Sequence, residues 1–363
     1  MAQPKVFIFA PIDTTGASHR RLEQGGCQVI LPPADRAASW ATPQGSTKEE
    51  VIAAAKDSDA LCGTMIRSTD LDREIMEQCD KLRIIAKYTI GCDDVDTDAA
   101  TELGIMVTHG PTESNWGGVA EGTMANMLCI LKQLRERDRH LKAGGEWRDA
   151  KFTGTYVGSR LEGPRADGYP GLTIGIVGLG RVGSRLADLL RPWKVRVLAC
   201  DPYIPDSQFI EHGATKMDLQ TLLKESDVIS MHVFLNKETT HLIGDKEFAL
   251  MKPKTVFLNA SRGPVVDELA LIRALQQDKI AAAGLDVFEH EPLAVDSPLR
   301  KMGDKVLLSP HMISTNHGSG LEPAIGWATD SILMAMRGEV PDNVFNKEVI
   351  PAWRERFGGR PLI

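Results

Sequence analysis

Leu172-Thr173-Ile174-Gly175-Ile176-Val177 runs without a break into Gly178-Leu179-Gly180-Arg181-Val182-Gly183. An apolar strand, a G-x-G-x-x-G turn and a helical stretch to Leu190 make one strand–turn–helix unit. Each glycine has a task in it. Gly178 permits the tight turn, Gly180 leaves the backbone open to a diphosphate, and Gly183 lets the helix lie close on the strand. The helix amino terminus, with Arg181 and Val182 in its first turn, offers unpaired N–H groups and a partial positive charge to phosphates. Asp201 lies 18 residues after Gly183, directly behind the apolar run Val197-Leu198-Ala199-Cys200. A carboxylate there accepts hydrogen bonds from adenosine ribose hydroxyls and repels a 2′-phosphate. Pro202-Tyr203 follow it where an Arg or Lys would favour the phosphorylated cofactor. The unit predicts a dinucleotide site with NAD as cofactor rather than NADP. The bland alternative is a glycine-rich turn that only packs a helix on a strand.

Further strands follow outward from this unit: Val195 to Cys200, Asp227-Val228-Ile229-Ser230, Thr255-Val256-Phe257-Leu258 and Ala281 to Leu285. With helix-length segments between them they describe one doubly wound sheet. The first hundred residues alternate in the same way, with strands at Val6 to Phe9, Leu82 to Ala86 and Gly104 to Val107. Thr47 with Glu50 three residues on marks the start of a helix reaching Lys56. A long helix is expected from Trp116 to Leu141, stopped by Gly144-Gly145. Gly154 to Gly171, rich in Gly and Pro, reads as a loop.

The chain has 363 residues, enough for two domains. A formal charge of -7 and no cluster of Lys and Arg argue against a nucleic-acid partner. Arg135-Glu136-Arg137-Asp138-Arg139 alternates in sign and reads as a solvated helix face. No apolar run approaches the roughly 20 residues of a membrane helix, so no membrane partner is expected. The six cysteines are scattered, without a C-x-x-C pair, and read as reduced core residues rather than disulfides or metal ligands. A cytoplasmic location and no metal are the expectations.

Three charged side chains stand just past apolar strands in the carboxyl-terminal half. Arg262 lies in Asn259-Ala260-Ser261-Arg262-Gly263-Pro264, Glu291 in Asp286-Val287-Phe288-Glu289-His290-Glu291-Pro292, and His311 in Leu307-Leu308-Ser309-Pro310-His311. Ligands in doubly wound folds bind beyond the carboxyl ends of strands. Hydride transfer to a 2-keto acid needs a cation for the substrate carboxylate and keto oxygen, a proton donor, and a group that holds the donor's ring. Arg, His and a carboxylate fill those roles. Singly, Arg262 reads as a surface charge, Glu291 as a solvated turn residue and His311 as a capping or core histidine; their joint occurrence after the nucleotide motif carries the argument.

The segments Gly178 to Gly183, Asn259 to Gly263, Ala283 to Phe288 and Ser309 to His311 resemble the D-isomer-specific 2-hydroxyacid dehydrogenases over about residues 80 to 340. The resemblance implies an NAD-dependent oxidoreductase that interconverts a small D-2-hydroxy acid and its 2-keto acid. Arg262, Glu291 and His311 would be its catalytic triad, with His311 giving a proton to the keto oxygen during reduction and Arg262 binding substrate. Lys87 to Asp96 resembles the family's substrate-carboxylate loop, with the backbone N–H groups of Ile90 and Gly91 as its donors. Ala260 and Asp286 would meet the nicotinamide amide, and Val233 and Thr239 match positions in the cofactor pocket. The implied architecture is α/β, with two doubly wound parallel-sheet domains and a homodimeric assembly. A Rossmann cofactor domain at 117–317 would be inserted in a flavodoxin-like substrate domain at 1–116 plus 318–363, with a cleft that closes on binding.

Some residues depart from the family pattern. Met312-Ile313-Ser314 follow His311 where glycine is usual, Tyr88 and Thr89 replace small residues, and Trp116 stands where it would line the pocket or pack in the core. The Gly154 to Gly171 loop would cross a dimer interface or screen the active-site mouth. Two other functions fit the same motifs: an NAD-sensing, corepressor-like scaffold, and a phosphite dehydrogenase-like enzyme.

Overall fold

The structure is a computed structural model, and it describes residues 3–32, 47–64, 70–152, 161–166, 168–314 and 322–363. The amino-terminal part carries β1 (Lys5–Ala10), α1 (Ala17–Gln24), β2 (Gln28–Ile30), α2 (Lys48–Ala55), β3 (Ala60–Gly63), α3 (Arg73–Glu77), β4 (Ile84–Lys87), α4 (Thr97–Glu102) and β5 (Met106–Thr108). There follow α5 (Glu113–Lys132), α6 (Leu134–Lys142), β6 (Thr173–Val177), α7 (Arg181–Leu190), β7 (Arg196–Cys200), α8 (Asp206–Glu211), β8 (Thr215–Lys216), α9 (Leu219–Glu225) and β9 (Val228–Met231). The chain ends with α10 (Asp245–Phe248), β10 (Val256–Asn259), α11 (Glu268–Gln276), β11 (Ala282–Leu285), β12 (Val306–Leu308), α12 (Glu322–Met336) and α13 (Ile350–Phe357). It divides into two compact units, one of Met1–Asn115 with Asn316–Ile363 and one of Trp116–Thr315.

The first unit holds a parallel sheet in the order β2-β1-β3-β4-β5. Side chains alternate across it: Val6 and Ile8 enter one apolar cluster with α12 and α13, Phe7 and Phe9 another with Val51 and Ile75. Burial on both faces explains why these strands read as unbroken apolar runs. Thr47 caps α2 as expected, with the Glu50 N–H donating to its hydroxyl and the Thr47 N–H to the Glu50 carboxylate.

The second unit holds a parallel sheet in the order β12-β11-β10-β9-β6-β7-β8. The strand order reverses at β6, so β6 and β9 flank a switch point where a ligand crevice opens beyond the strand ends. Ile174 and Ile176 of β6 face the cluster that includes α7, while Val177, Ile229 and Met231 face the other side. Two parallel-sheet α/β units are thus present, as the sequence implied.

Two local expectations fail. The long helix over 116–141 is broken: Gln133 takes a left-handed conformation, φ 49°, between α5 and α6. The turn sends the start of the charged segment inward, while Arg137, Asp138 and Arg139 stay exposed. Arg135 donates to the carbonyls of Val306 and Asp304, and Glu136 is only 8% exposed. That segment is therefore not a uniformly solvated face. Residues 154–160 and 167 of the Gly154–Gly171 segment lie outside the described residues, as do Thr315 and Asn316 after His311. All six cysteines are free thiols. Among the described residues no helix is long and apolar enough to cross a membrane, and no group of three or more His, Cys, Asp or Glu could hold a metal.

Candidate active site

The glycine-rich turn leaves β6 at Val177. Gly178 has φ +91°, and a Cβ there would stand 2.6 Å from the His232 carbonyl. A Cβ on Gly183 would stand 2.1 Å from the Gly178 carbonyl, so the turn and α7 touch through bare backbone. Gly180 is different: a Cβ on it would meet nothing within 4 Å. The space above it is open, as a docking diphosphate requires. The first bond along α7 runs from the Ser184 N–H to the Gly180 carbonyl at 2.9 Å. The N–H groups of Arg181, Val182 and Gly183 therefore have no helical acceptor. The Arg181 guanidinium lies 4.8 Å from the centre of the Trp116 ring, a cation–π contact that gives half-buried Trp116 a partner.

Asp201 follows β7, and its carboxylate accepts from the N–H groups of Leu179 at 2.9 Å and Tyr203 at 3.0 Å. The acid is thereby tied to the glycine-rich turn. Val233 packs beside Gly178. Thr239 holds its own loop: the Asn236 N–H donates to its hydroxyl at 2.8 Å, and that hydroxyl donates to the Phe234 carbonyl at 2.5 Å. Open space over Gly180, three helix N–H groups without an acceptor among the described residues and an acid at the neighbouring strand end fit a dinucleotide.

Arg262, Glu291 and His311 follow β10, β11 and β12, three adjacent strands. The Asn259 amide organises the first segment. Its oxygen accepts from the Ser261 N–H and hydroxyl at 3.0 and 2.8 Å, and its NH2 donates to the Arg262 carbonyl at 3.0 Å. Gly263 is obligatory, because a Cβ there would fall 1.8 Å from the Phe288 carbonyl. This contact brings the Arg262 segment against the one bearing Glu291.

One Glu291 carboxylate oxygen accepts from the Phe288 N–H at 3.0 Å, and the other lies 2.7 Å from His311 Nδ1. Burial works to raise the Glu291 pKa. The His311 hydrogen bond and charge, the Phe288 N–H and the Arg262 guanidinium outweigh it and hold the carboxyl below its ordinary range. His311 has φ 55°, a left-handed backbone uncommon for a non-glycine residue. That conformation is over-determined from behind. The His311 N–H donates to the Asp286 carbonyl at 2.8 Å, and the Met312 and Ile313 N–H groups donate to the Asp286 carboxylate at 3.0 and 3.2 Å. Burial raises the Asp286 pKa, opposed by the Ser309 hydroxyl, the Ile313 and Met312 N–H groups and the His311 charge. Asp286 is 3% exposed, and Ala260 lies one strand away beyond β10. Gly122 of α5 leaves room for Ile313, whose side chain would stand 2.3 Å from a Cβ there.

Asn259, Gly263, Gly122 and the backbone of Phe288 are parts of the site that sequence reasoning missed. An Asn at a strand end followed by Ser is a visible Asx-turn signal; the glycine contacts are long-range and carry none. In the first unit, Ile90 and Gly91 follow β4 and are partly exposed, and their N–H groups find no acceptor among the described residues.

Residues 124–312 match the family model described as D-isomer specific 2-hydroxyacid dehydrogenase, NAD binding domain. The chain is 35% identical over 348 residues to a glyoxylate reductase of Thermococcus litoralis, covering 96% of this chain and 98% of that protein. It is 36% identical over 317 residues to a D-3-phosphoglycerate dehydrogenase of Methanocaldococcus jannaschii, covering 86% of this chain and 56% of the longer relative. Among solved structures, a D-lactate dehydrogenase of Aquifex aeolicus, complexed with NAD and lactic acid, aligns with TM-score 0.74 at 27% identity, covering 96% of this chain and 98% of that one. On the matched segments, the sheet order and the glycine-rich turn together, this chain belongs to the D-isomer specific 2-hydroxyacid dehydrogenases.

Proposed function

We propose that this enzyme reduces a short 2-keto acid with NADH: glyoxylate to glycolate, or a close homologue to its D-2-hydroxy acid. The observation that carries the reading is the 2.7 Å contact between Glu291 and His311 Nδ1, beside Arg262 on adjacent strand ends of the nucleotide-binding unit. Glu291 fixes the imidazole so that Nδ1 faces the carboxylate and Nε2 is left to exchange a proton with the substrate oxygen. Arg262 supplies the cation for the substrate carboxylate and the developing alkoxide. The N–H groups of Ile90 and Gly91, which have no acceptor among the described residues, are further donors for that carboxylate. The α7 amino terminus from Gly180 to Gly183 takes the diphosphate, with Val233 and Thr239 shaping the adenosine side. Ala260 and Asp286 serve the nicotinamide amide, and Asp286 also holds the His311 turn. Asp201 favours NADH over NADPH by repelling a 2′-phosphate. Bound NADH supplies the hydride.

The full-length similarity to glyoxylate reductases supports the choice of substrate and favours an enzyme over a dinucleotide-sensing scaffold or a phosphite oxidiser. Free thiols suit a reducing, cytoplasmic setting. Exposed Leu134, Leu141 and Trp147, on and just after α6, offer an apolar surface to a homodimer. The test is NADH and NADPH oxidation with glyoxylate, pyruvate and 3-phosphohydroxypyruvate. Turnover of one or more with NADH is expected, and His311→Ala should lower kcat/KM by at least about 10²-fold. Near-normal turnover in that variant removes the role given to His311.

A further inference from the structure

Lys87 ends β4 and is fully buried, although lysine is almost never buried without a partner. Its ammonium pairs with Asp94, itself 2% exposed, donates to the Thr64 carbonyl at 2.8 Å and stands 5.3 Å from the centre of the Phe9 ring. Gly63, the neighbour of Lys87 on β3, has no side chain, and a Cβ there would fall 2.4 Å from the Phe9 ring. Replacing a buried ion pair by apolar residues of similar size is often neutral or stabilising. Stability alone is therefore a poor reason for carrying one here.

The position of the pair suggests another reason. Lys87 is the last residue before the turn Tyr88–Asp93, and Asp94 is the first after it, so the pair closes the base of the turn. Both ends are fixed independently. The Tyr88 N–H donates to the Gly63 carbonyl at 3.1 Å, and its side chain is 1% exposed in the apolar cluster on the sheet face opposite Phe9. The Asp94 carbonyl accepts from the Leu71 N–H at 2.8 Å. Inside the turn, the Thr89 hydroxyl donates to the Gly91 carbonyl at 2.7 Å and the Gly110 N–H to the Thr89 carbonyl at 2.9 Å. Among the described residues the N–H groups of Ile90 and Gly91 have no acceptor between these anchors. A turn built this way holds two donors in a fixed orientation before any anion arrives, which is what binding without an ordering cost requires.

We infer that Lys87 and Asp94 are positioning residues for substrate recognition: their buried pair sets the geometry of the Ile90 and Gly91 N–H groups, and neither side chain touches substrate. The inference rests on the reading of those N–H groups as carboxylate donors.

The experiment compares the full-length enzyme with the double variant Lys87→Met/Asp94→Leu, with Lys87→Arg and with Ile90→Pro, which deletes one of the two donors. The readouts are thermal midpoint, NADH affinity, and kcat and KM for glyoxylate. The double variant is expected to fold and to bind NADH within about twofold of the parent, with KM for glyoxylate raised at least about tenfold and kcat within about threefold. Lys87→Arg, which keeps a buried cation, is expected to restore KM most of the way. Should the double variant fail to fold, Asp94→Asn removes the charge at constant shape and is expected to raise KM in the same sense. An unchanged KM in the double variant, or in Asp94→Asn where the double does not fold, overturns the inference. If Ile90→Pro still raises KM in that case, the carboxylate reading of the turn survives; if Ile90→Pro leaves KM unchanged, that reading falls as well, and the inference with it.

Discussion

Gly180→Ala separates cofactor binding from folding. Gly180 precedes α7 with φ −74° and ψ −155°, a conformation open to alanine, and its added Cβ would meet no atom within 4 Å. Losing glycine's extra unfolded-state freedom stabilises by about 0.4–1 kcal/mol, and placing alanine at a helix N-cap costs a similar amount. The thermal midpoint should move by less than about 3 °C. The open space that makes the variant harmless to the fold is the space a diphosphate needs. A methyl group there holds phosphate oxygens away from the helix N–H groups and stretches one or two charge-assisted hydrogen bonds past useful length. At about 1.5–3 kcal/mol each, the loss is about 1.5–6 kcal/mol, or about 10- to 10⁴-fold in Kd. Gly183→Ala is the contrasting control. Its Cβ would stand 2.1 Å from the Gly178 carbonyl, so it should cost about 1–3 kcal/mol of stability as well as affinity. NADH titration by calorimetry with a parallel thermal melt gives both numbers. Parental NADH affinity in a well-folded Gly180→Ala would refute the diphosphate site.

The remaining predictions concern the two carboxylate- and hydroxyl-held histidines. Glu291→Gln should lower kcat about 10- to 100-fold with a nearly unchanged NADH Kd, because a neutral amide orients the ring but does not support its charge; equal kcat by steady-state assay would dismiss the pairing. The Glu291 carboxyl sits below its ordinary 4.5, so its contribution to stability is full above that value and lost as pH falls through the lower folded value. Acid melts should show a smaller loss below pH 4.5 in Glu291→Gln than in the parent. Burial pushes His232 down from 6.5 to about 4, with its Nε2 2.8 Å from the Ser230 hydroxyl. The folded state therefore favours the neutral ring. Its contribution to stability is full above pH 6.5 and shrinks as pH falls to about 4, by up to about 3 kcal/mol. His232→Gln should flatten thermal midpoint against pH in that window, and an unchanged slope would assign the decline to other groups.

Much of this was legible in the sequence because it depends on local chemistry. The glycine spacing at Gly178, Gly180 and Gly183 encodes contacts within one strand–turn–helix unit, and the turn forms as those residues require. Arg262, Glu291 and His311 were found because each follows an apolar run; the sheet then makes their strands neighbours. What escaped depends on partners distant in sequence or on backbone shape. The break at Gln133 is bound up with Arg135 reaching carbonyls about 170 residues away, at Val306 and Asp304, which no helical period announces. The left-handed backbone of His311 is held by Asp286, and Gly263 is required by a carbonyl of the next strand's loop. The apolar run from Ile84 ends the strand at Ala86 on sequence alone, one residue short of Lys87, because burial of its ammonium depends on Asp94 and the Phe9 ring.

The central claim is transfer of hydride from a dinucleotide to C2 of a 2-keto acid, with the proton delivered by His311. Reduction of pyruvate or a longer 2-keto acid with NADH carrying deuterium at both C4 positions, followed by chiral chromatography and mass spectrometry, measures it directly. The account predicts a D-2-hydroxy acid carrying one deuterium at C2, and loss of that product in His311→Ala. Product without deuterium at C2, product of the L configuration, or full product formation by His311→Ala would contradict it.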